Sequence, residues 1–488
     1  MKLKESIKTI ILTMLVISSL VLSFNIWFSE GLWSYGYNSF SYAKGGFLSG
    51  FFSVFRGKGS YVLDIGQIFS PKQILINESE KSLLVSTFSH EYENLNNILK
   101  DYMKDAFSKG KFSETTDEEY QKMCKASSLF ADFYTPVSFD LIYDYYNIEH
   151  DSHVDDMENI KHILLAFSGE SSVSLYAKNS KTEKIYKTTI TEEHKVHKEH
   201  IAGLLKKVKE NNITVSFAFE NNFDKKAEGE ENKLLLNSYM LINLEQLSAN
   251  RIVAENMSNS FLSSDNTDKY SSILSKFNVS VTSSRRFTDT KGTINFVENY
   301  GTLKFFKNGL LKYNSAGDDK GVKLENVVST DYDAIKSAGE FVDNLSSFYK
   351  LPDNNSYVFS GVSKNNENKS YMVYFDVLYS GIPVIPEYKL PDGETLNHAI
   401  EVEIKNDNII SYKHLFCGFN KKGDKYEIPP MILALDNFYT VYDVEKNKGV
   451  KINDMYNIYH FNIEKDVVNL KCAVSLSDNK TVFVDIIK

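Results

Sequence analysis

The sequence has few of the residues that cross-link or interrupt a chain. It contains only three cysteines and eight prolines in 488 residues, and no Gly/Ser-rich run. Cys124, Cys417 and Cys472 are too few and too far apart to form a disulfide framework, and at most one bridge could form. These side chains are expected to act as small buried apolar residues. Without a low-complexity linker, the domains are expected to follow one another on short connections.

The chain also has fewer basic than acidic residues. The chain carries 55 basic and 64 acidic side chains, a net charge of −9, and it has no long basic block. An acidic chain of this kind does not suit binding to nucleic acid or electrostatic docking on anionic lipid. Its composition of 42% hydrophobic and 24% charged residues is typical of folded globular domains.

One segment lacks charge altogether. Residues 9–29 contain no charged side chain and are rich in large apolar residues. A helix of about 20 such residues spans the hydrocarbon of a bilayer. Because Lys2, Lys4 and Lys8 precede the segment and no basic residue follows it until Lys44, we predict a single-pass cell-membrane anchor with a cytoplasmic N-terminus and an extracytoplasmic remainder. The alternative, a cleaved signal peptide, needs a small-x-small site that the sequence does not show here.

One stripe of the predicted anchor carries small hydroxyl residues at both ends. At about 100° per residue, it consists of Thr9, Thr13, Val16, Leu20 and Ser23. Helices in lipid associate through close packing at small residues and through interhelical hydrogen bonds, so we predict that this face meets a partner helix. The alternative is that the hydroxyls bond to carbonyls of their own helix.

The pattern after the anchor is typical of an α+β protein. Residues 91–107 show the spacing of an amphipathic helix, and Thr330-x-x-Asp333 resembles a capping box that opens another. Asn308-Gly309 favours a type I′ hairpin turn. Residues 137–148 are β-branched and aromatic, and predict a strand. The whole indicates serial domains, each an antiparallel sheet with a helix or two against one face.

The sequence suggests four parts. They are a cytoplasmic tip and transmembrane anchor at 1–30, an N-terminal extracytoplasmic domain at 31–158, a central α+β domain at 159–290 and a C-terminal α+β region at 291–488. The boundary after residue 158 follows an acidic stretch.

The most tempting metal ligands are three histidines. His194, His197 and His200 are spaced three and three apart, whereas two histidines that grip one metal from a helix face are typically four apart. The outer pair therefore diverges around the helix. A structural or surface role is the interpretation we adopt, and no metal site is predicted.

Other catalytic motifs break at a required position. His90-Glu91 is not followed by the second histidine of a zinc protease. Gly45–Gly50 and Gly418–Gly423 lack the Lys-Ser/Thr of a phosphate-binding loop, and no G-x-S-x-G or EF-hand sequence occurs. Cys417 lies near His414 in the sequence, but a cysteine at a strand end is usually a packing residue. We therefore predict no catalytic residue and no cofactor.

Several segments, in order along the chain, resemble the YycH family. They are Lys8–Trp27, Phe277–Phe287, Gly292–Tyr313, Tyr371–Val384, the Ile400-x-Val-x-Ile strand, and Val450–Tyr459. Members of this family are single-pass regulators of the YycFG (WalKR) two-component system in low-GC Gram-positive bacteria. The segments from Tyr371 onward resemble the part that YycH shares with its companion YycI.

The resemblance implies a non-enzymatic regulator. It would sit beside the YycG/WalK-type sensor histidine kinase, touch it through anchor and ectodomain, and act with a YycI-like protein in control of cell-wall homeostasis. Two alternatives stay open on the residues alone. An extracytoplasmic ligand-binding module would be favoured by a deep apolar pocket, and a cell-envelope hydrolase by convergent acid/base or metal-binding groups in a cleft.

Overall fold

The structure is a computed structural model of the chain. It describes residues 69–78, 81–87, 91–146, 159–167, 172–191, 213–225, 234–258, 267–346, 348–443, 449–478 and 480–486. The predicted anchor with its partner face (Thr9, Thr13, Val16, Leu20 and Ser23) lies outside these residues, as do His194, His197 and His200. Among the described residues, no helix has the length and apolar character needed to cross a bilayer. All of them belong to one compact unit, residues 61–488.

Nine antiparallel strands form the first sheet. In order across the sheet they are β3 (Ser113–Thr115), β7 (Ile185–Thr191), β6 (Ser172–Asn179), β5 (Ile160–Phe167), β4 (Ser128–Val137), β1 (Gln73–Glu78), β2 (Lys81–Ser86), β8 (Ile213–Phe217) and β9 (Leu241–Asn243). β4 and β5, which lie on either side of residue 158, are direct neighbours in this sheet.

Helices cover both faces of the first sheet. α1 (Tyr92–Lys109) and α3 (Phe139–Tyr146) pack on one face, and α2 (Asp117–Cys124) packs on the other. Successive strand residues point to opposite faces, so Ile74 belongs to the core under α1 whereas Leu75 belongs to the core around α2. A sheet buried on both sides explains why its central strands read as continuous apolar runs.

The second sheet has eleven strands in its main path. In order they are β11 (Arg285–Thr288), β12 (Ile294–Val297), β13 (Gly301–Phe305), β14 (Leu310–Ser315), β21 (Asn408–Leu415), β20 (Ile400–Lys405), β17 (Ser370–Tyr379), β18 (Ile382–Lys389), β23 (Ile452–Asn462), β24 (Val467–Leu476) and β25 (Thr481–Asp485). Among the described strands of this sheet, only β18 and β23 pair in parallel.

Three short or branching strands and a separate ribbon complete the strand set. β15 (Val322–Lys323) pairs with β21, β16 (Asn355–Asn365) with β17, and β19 (Thr395–Leu396) with β18. β10 (Leu247–Asn256) and β22 (Cys417–Ile428) form the two-stranded ribbon.

Three further helices accompany the second sheet, namely α4 (Thr267–Lys276), α5 (Asp331–Ser346) and α6 (Met431–Val441). α5 begins as predicted. The Asp333 backbone N–H donates to Thr330 Oγ1 at 3.1 Å, and the Thr330 N–H donates to Asp333 Oδ2 at 3.0 Å. With six α-helices and mostly antiparallel sheets in its described part, the chain has the predicted α+β fold class.

Two local predictions are wrong. The strand predicted for residues 137–148 is helix α3, because a short apolar and aromatic run does not by itself distinguish a buried strand from a buried helix. The turn at Asn308-Gly309 is not type I′, since Asn308 keeps a negative φ and only Gly309 is left-handed, with φ +89°. The Gly309 N–H donates to the Phe306 carbonyl at 3.1 Å, which makes a turn that ends in a left-handed glycine.

One apolar core runs through both sheets. Its buried residues come from α1, α3 and the first sheet as well as from α5 and the second. At the contact, the rings of Phe69 and Phe359 lie 5.4 Å apart. The two sheets are therefore packed against each other, and the polar groups at that boundary are the natural place to look for a functional site.

Candidate functional site

Four charged side chains meet where the two sheets come together. Lys72 precedes β1, Asp132 lies on β4, Lys161 on β5 and Asp454 on β23. Lys72 Nζ lies 3.1 Å from Asp132 Oδ2 and 3.2 Å from Asp454 Oδ2. Lys161 Nζ lies 3.2 Å from Asp132 Oδ1 and 3.1 Å from Asp454 Oδ2. We call these four residues the sheet junction. They form a closed ring of alternating charges.

A break in strand pairing provides part of this geometry. The register of β4 against β5 shifts after Asp132, close to Pro136, which has no N–H to donate to the ladder. The freed carbonyls of Phe133 and Tyr134 accept hydrogen bonds from Lys161 Nζ, the latter at 3.2 Å. The lysine is thus held by two backbone carbonyls as well as by two carboxylates.

The junction is buried and electrically balanced. The side chains of Lys72 and Asp132 are 10% and 6% exposed. Burial alone lowers the pKa of Lys72, but the carboxylates of Asp132 and Asp454 outweigh it and raise that pKa above its ordinary value. Burial likewise works to raise the pKa of Asp132, but Lys161 and Lys72 hold it well below its usual range. Lys72 and Asp132 are therefore both charged near neutral pH.

A histidine borders the ring without adding to its charge. His162 Nε2 lies 3.5 Å from Asp132 Oδ1. Burial lowers the pKa of His162 more than the neighbouring Asp132 raises it. Gln73 Nε2 also donates to Asp132 Oδ2, at 2.9 Å, so the buried carboxylate has several partners.

More exposed contacts extend the boundary. The Tyr134 hydroxyl donates to the Gly381 carbonyl at 3.0 Å. Lys336 Nζ lies 3.0 Å from Asp144 Oδ2, which also accepts from the Tyr332 hydroxyl at 2.5 Å. These contacts join residues far apart in the sequence. The arrangement can hold the two sheets in one fixed orientation.

A second acid–histidine pair lies on the second sheet. Asp376 accepts from Ser360 Oγ at 2.5 Å, from the Ala399 N–H at 3.0 Å, and contacts His398 Nδ1 at 2.9 Å. The carboxylate is the central member, so the histidine does not contact the serine and cannot take its proton. Burial lowers the pKa of His398, but the charge of Asp376 raises it by more.

A buried histidine of the second sheet is surrounded by tyrosines. The hydroxyls of Tyr357 and Tyr349 lie 2.9 and 3.1 Å from His414 Nε2, and that of Tyr412 lies 2.8 Å from Nδ1. Burial lowers the pKa of His414 to about 3. The imidazole is neutral, and its contacts are those of a packed polar core.

The three cysteines do not present reactive thiolates. All are buried and unpaired. Burial raises the pKa of Cys417 and of Cys472 to about 12, and that of Cys124 well above its ordinary value. This agrees with the expectation that they are packing residues.

Within the described ranges, no group of three or more His, Cys, Asp or Glu side chains could hold a metal ion.

Two hollows in the described part of the chain are candidate ligand sites. An apolar cavity beside α6, lined by Phe223, Met240, Leu435 and others, has a volume of about 10 Å³, which is about the least that a water molecule needs. A depression of about 610 Å³ near Lys364, Lys369 and Asp407 is open to solvent. Neither is the deep apolar pocket that a small-molecule binding module would use.

Comparison with known proteins places this geometry in a known fold. No family model matches the chain, and no curated protein matches it. The crystal structure of YycH from Bacillus subtilis superposes on it with a TM-score of 0.55, at 15% sequence identity, covering 87% of this chain and 98% of that one. The fold is YycH-like. The resemblance seen in the sequence is therefore confirmed at the level of the fold.

Sequence reasoning missed the sheet junction. Its residues are single charges separated by up to 382 positions, as between Lys72 and Asp454. No motif links them. One signal was available, because Asp132 interrupts the apolar run Leu129–Phe133 in what reads as a buried strand, and a carboxylate there needs a buried partner.

Proposed function

We propose that this protein is a non-enzymatic, membrane-anchored regulator of a sensor histidine kinase of the YycG/WalK type. The observation that carries the proposal is the YycH-like fold, which extends over most of the chain. The ordered sequence resemblance to the YycH family supports it independently. In this role the protein acts together with a YycI-like protein in control of cell-wall homeostasis.

The contact with the kinase is made at two levels. The charge-free run at residues 9–29, with lysines ahead of it, supports a single membrane-spanning helix whose Thr9, Thr13, Val16, Leu20 and Ser23 face a partner helix. The ectodomain supplies the second level. The sheet junction supports this view because a rigid pairing of two sheets can present one fixed surface to a partner.

The alternative functions are less favoured. The depressions described above do not suit capture of an apolar ligand. In Asp376, Ser360 and His398, the most enzyme-like group we identified, the histidine is not placed to activate the serine. A regulator requires neither feature.

The regulatory role is tested by deleting the gene in its own bacterium. We expect transcripts controlled by the YycFG-type response regulator to change, and the full chain supplied in trans to restore them. A variant with His194→Ala, His197→Ala and His200→Ala should restore them equally, because no metal site is assigned there. Unchanged transcripts in the deletion strain would contradict the proposal.

The anchor face is tested with a matched pair of double variants. Thr13→Leu with Ser23→Leu keeps the span apolar while removing the small hydroxyl residues of the predicted face. Ser18→Leu with Asn25→Leu makes the same kind of change on the opposite side. At equal protein levels in the membrane, kinase output should change in the first variant and little in the second. Equal output from both would assign the contact to the ectodomain alone.

A further inference from the structure

Arginine is rare in this chain and is concentrated at one place. The sequence has only four arginines among 55 basic residues, and two of them, Arg285 and Arg286, are adjacent. They lie on β11, whose four residues are all exposed. Arginine presents a planar fork of donors that binds carboxylates with two parallel hydrogen bonds, which lysine cannot do. The adjacent arginines therefore indicate a surface that can bind carboxylates.

Large apolar side chains are exposed around the same strand. Of ten large hydrophobic residues that are exposed in the described part of the chain, four lie here: Val281 at 40%, Phe287 at 45%, Val297 at 37% and Tyr300 at 56%. Arg285 Cζ lies 5.9 Å from the centre of the Phe287 ring, so the arginine and the aromatic ring are neighbours. We call these four residues with Arg285 and Arg286 the β11 patch. Exposed aromatic residues with arginine are typical of protein interfaces.

β11 is also the end of a sheet. It pairs with β12 through Arg285 opposite Val297 and Phe287 opposite Asn295, and among the described strands it has no neighbour on its other side. An edge strand exposes backbone donors and acceptors to which another extended segment can pair. Natural edges are commonly protected by lysine or proline, whereas this edge carries a phenylalanine.

The charge around β11 opposes that of the whole molecule. Residues 276–307 contain six basic and only two acidic side chains, in a chain whose net charge is −9. Among the described residues, no carboxylate lies within ion-pair distance of Arg285, although many other cations of the structure are paired. A segment that carries carboxylates would thus be attracted to this edge and not to the rest of the surface.

We propose that the β11 patch is a docking site for an extended, acidic segment of a partner protein, which adds to the second sheet as a strand beside β11. Carboxylates of that segment bind Arg285 and Arg286, and its apolar side chains cover Phe287. The proposal deepens the proposed function, on which its biological role rests, because it assigns a surface to the ectodomain contact.

A second copy of this chain is a poor occupant. Two β11 strands that paired with each other would bring four guanidinium groups onto one short ribbon, and like charges on facing strands are destabilising. Pairing of β11 with another surface of a second copy would be head-to-tail, which gives open chains unless the rotation closes. A different, acidic partner avoids both problems.

The site is tested by photo-cross-linking of the full chain in membranes of its own bacterium. Phe287→benzoylphenylalanine should give an adduct with another protein, and the attached peptide should contain Asp or Glu. Val327→benzoylphenylalanine is the control, because Val327 is 73% exposed but lies outside the patch.

Arg285→Glu with Arg286→Glu should reduce the adduct at least fivefold. Lys421→Glu with Lys422→Glu, which reverses an adjacent exposed basic pair on β22, should not reduce it.

The outcomes separate the two proposals. No adduct at position 287 above that at 327, an adduct with a second copy of this chain, or an adduct that survives charge reversal at 285 and 286 would each overturn the docking site. If reversal impairs folding, as judged by the thermal midpoint, Arg285→Gln with Arg286→Gln takes its place and should give the same loss. Transcripts of the response regulator are measured in the same strains. An adduct without any dependence of transcripts on this protein would refute the proposed function but not the docking site.

Discussion

The sheet junction and the β11 patch place the same kind of groups in opposite settings. At the junction, Lys72 and Lys161 are buried between Asp132 and Asp454, and every charge has an opposite charge within 3.2 Å. At β11, Arg285 is exposed and has no carboxylate partner among the described residues. Charges inside the protein must be paired because their desolvation is costly, whereas exposed charges can stay available for another molecule.

The comparison also separates stability from recognition. Removing one member of a buried ion group leaves an uncompensated charge in the interior, so the fold should suffer. Removing an exposed arginine leaves the fold intact and should affect only what binds there. Each of the following changes tests one side of this contrast.

The largest expected effect is that of Asp132→Ala. Among the described residues, it leaves Lys72 and Lys161 with Asp454 as their only carboxylate, so the apparent free energy of unfolding should fall by about 3–5 kcal/mol. Urea titration of the full-length protein in detergent measures it. Arg285→Ala is the matched change at the β11 patch and should alter the same quantity by less than about 0.5 kcal/mol. Equal losses in the two variants would remove the distinction between the sites.

Mild acid should lower the free energy of unfolding, because the buried histidines are neutral in the folded protein. His414 has a folded pKa of about 3, well below the unfolded value of about 6.5, so the unfolded state binds the proton first. Its contribution is complete above pH 6.5 and is lost as the pH falls towards 3, about 2 kcal/mol of it between pH 7 and pH 5. His162, whose pKa is also lowered, acts in the same direction.

The acid effect has an internal control of opposite sign. The pKa of His398 is raised by Asp376, so its contribution is complete below the unfolded pKa and is lost as the pH rises through the folded value. Unfolding free energies at pH 7 and pH 5 should therefore show a smaller acid loss in a His414→Phe variant and a larger one in a His398→Gln variant. An unchanged acid loss in His414→Phe would contradict this assignment.

A smaller effect is expected from one hydroxyl of the buried tyrosine cluster. Tyr357→Phe removes the group that lies 2.9 Å from His414 Nε2, and Tyr349 still contacts that nitrogen. The unfolding free energy should fall by about 1–2 kcal/mol. Tyr300→Phe, at an exposed position of the β11 patch, should have no measurable effect on it. A loss at Tyr300 as large as that at Tyr357 would show that exposure does not decide the outcome.

Among the changes at the boundary between the two sheets, the smallest effect is expected at its exposed end. The Asp144–Lys336 ion pair links α3, which packs on the first sheet, to α5, which accompanies the second, but the two side chains are 53% and 36% exposed. Lys336→Ala should therefore lower the unfolding free energy by less than about 1 kcal/mol, and added salt should reduce the difference further. A decrease in the unfolding free energy as large as that of Asp132→Ala would mean that the position at the boundary, and not burial, determines the decrease.

The sequence was informative where the signal is local. The helix predicted at residues 91–107 is α1, and the capping box at Thr330 and Asp333 starts α5. Both depend on neighbours three or four residues apart. The prediction of a strand at residues 137–148 was wrong because β-branched and aromatic side chains suit a buried helix as well as a strand. The turn at Gly309 was located correctly, but its type depends on the backbone of Asn308, which composition does not determine.

The sites were harder to predict because they depend on the tertiary fold. Asp132 and Asp454 meet only after both sheets have formed, and each lies at a shift of strand register that no motif announces. The β11 patch was visible as Arg285-Arg286-Phe287, but its significance depends on β11 being an edge strand. The resemblance to YycH, found from segments in order along the sequence, did predict the fold, because such segments follow the order of the strands.

The most direct test of the account is to purify the tagged full-length protein from membranes in mild detergent and to identify the associated proteins by quantitative mass spectrometry, with an untagged strain as the control. The account predicts that a sensor histidine kinase of the YycG/WalK type and a YycI-like protein are enriched together. Recovery of neither, with both detected in the starting membranes, would contradict it.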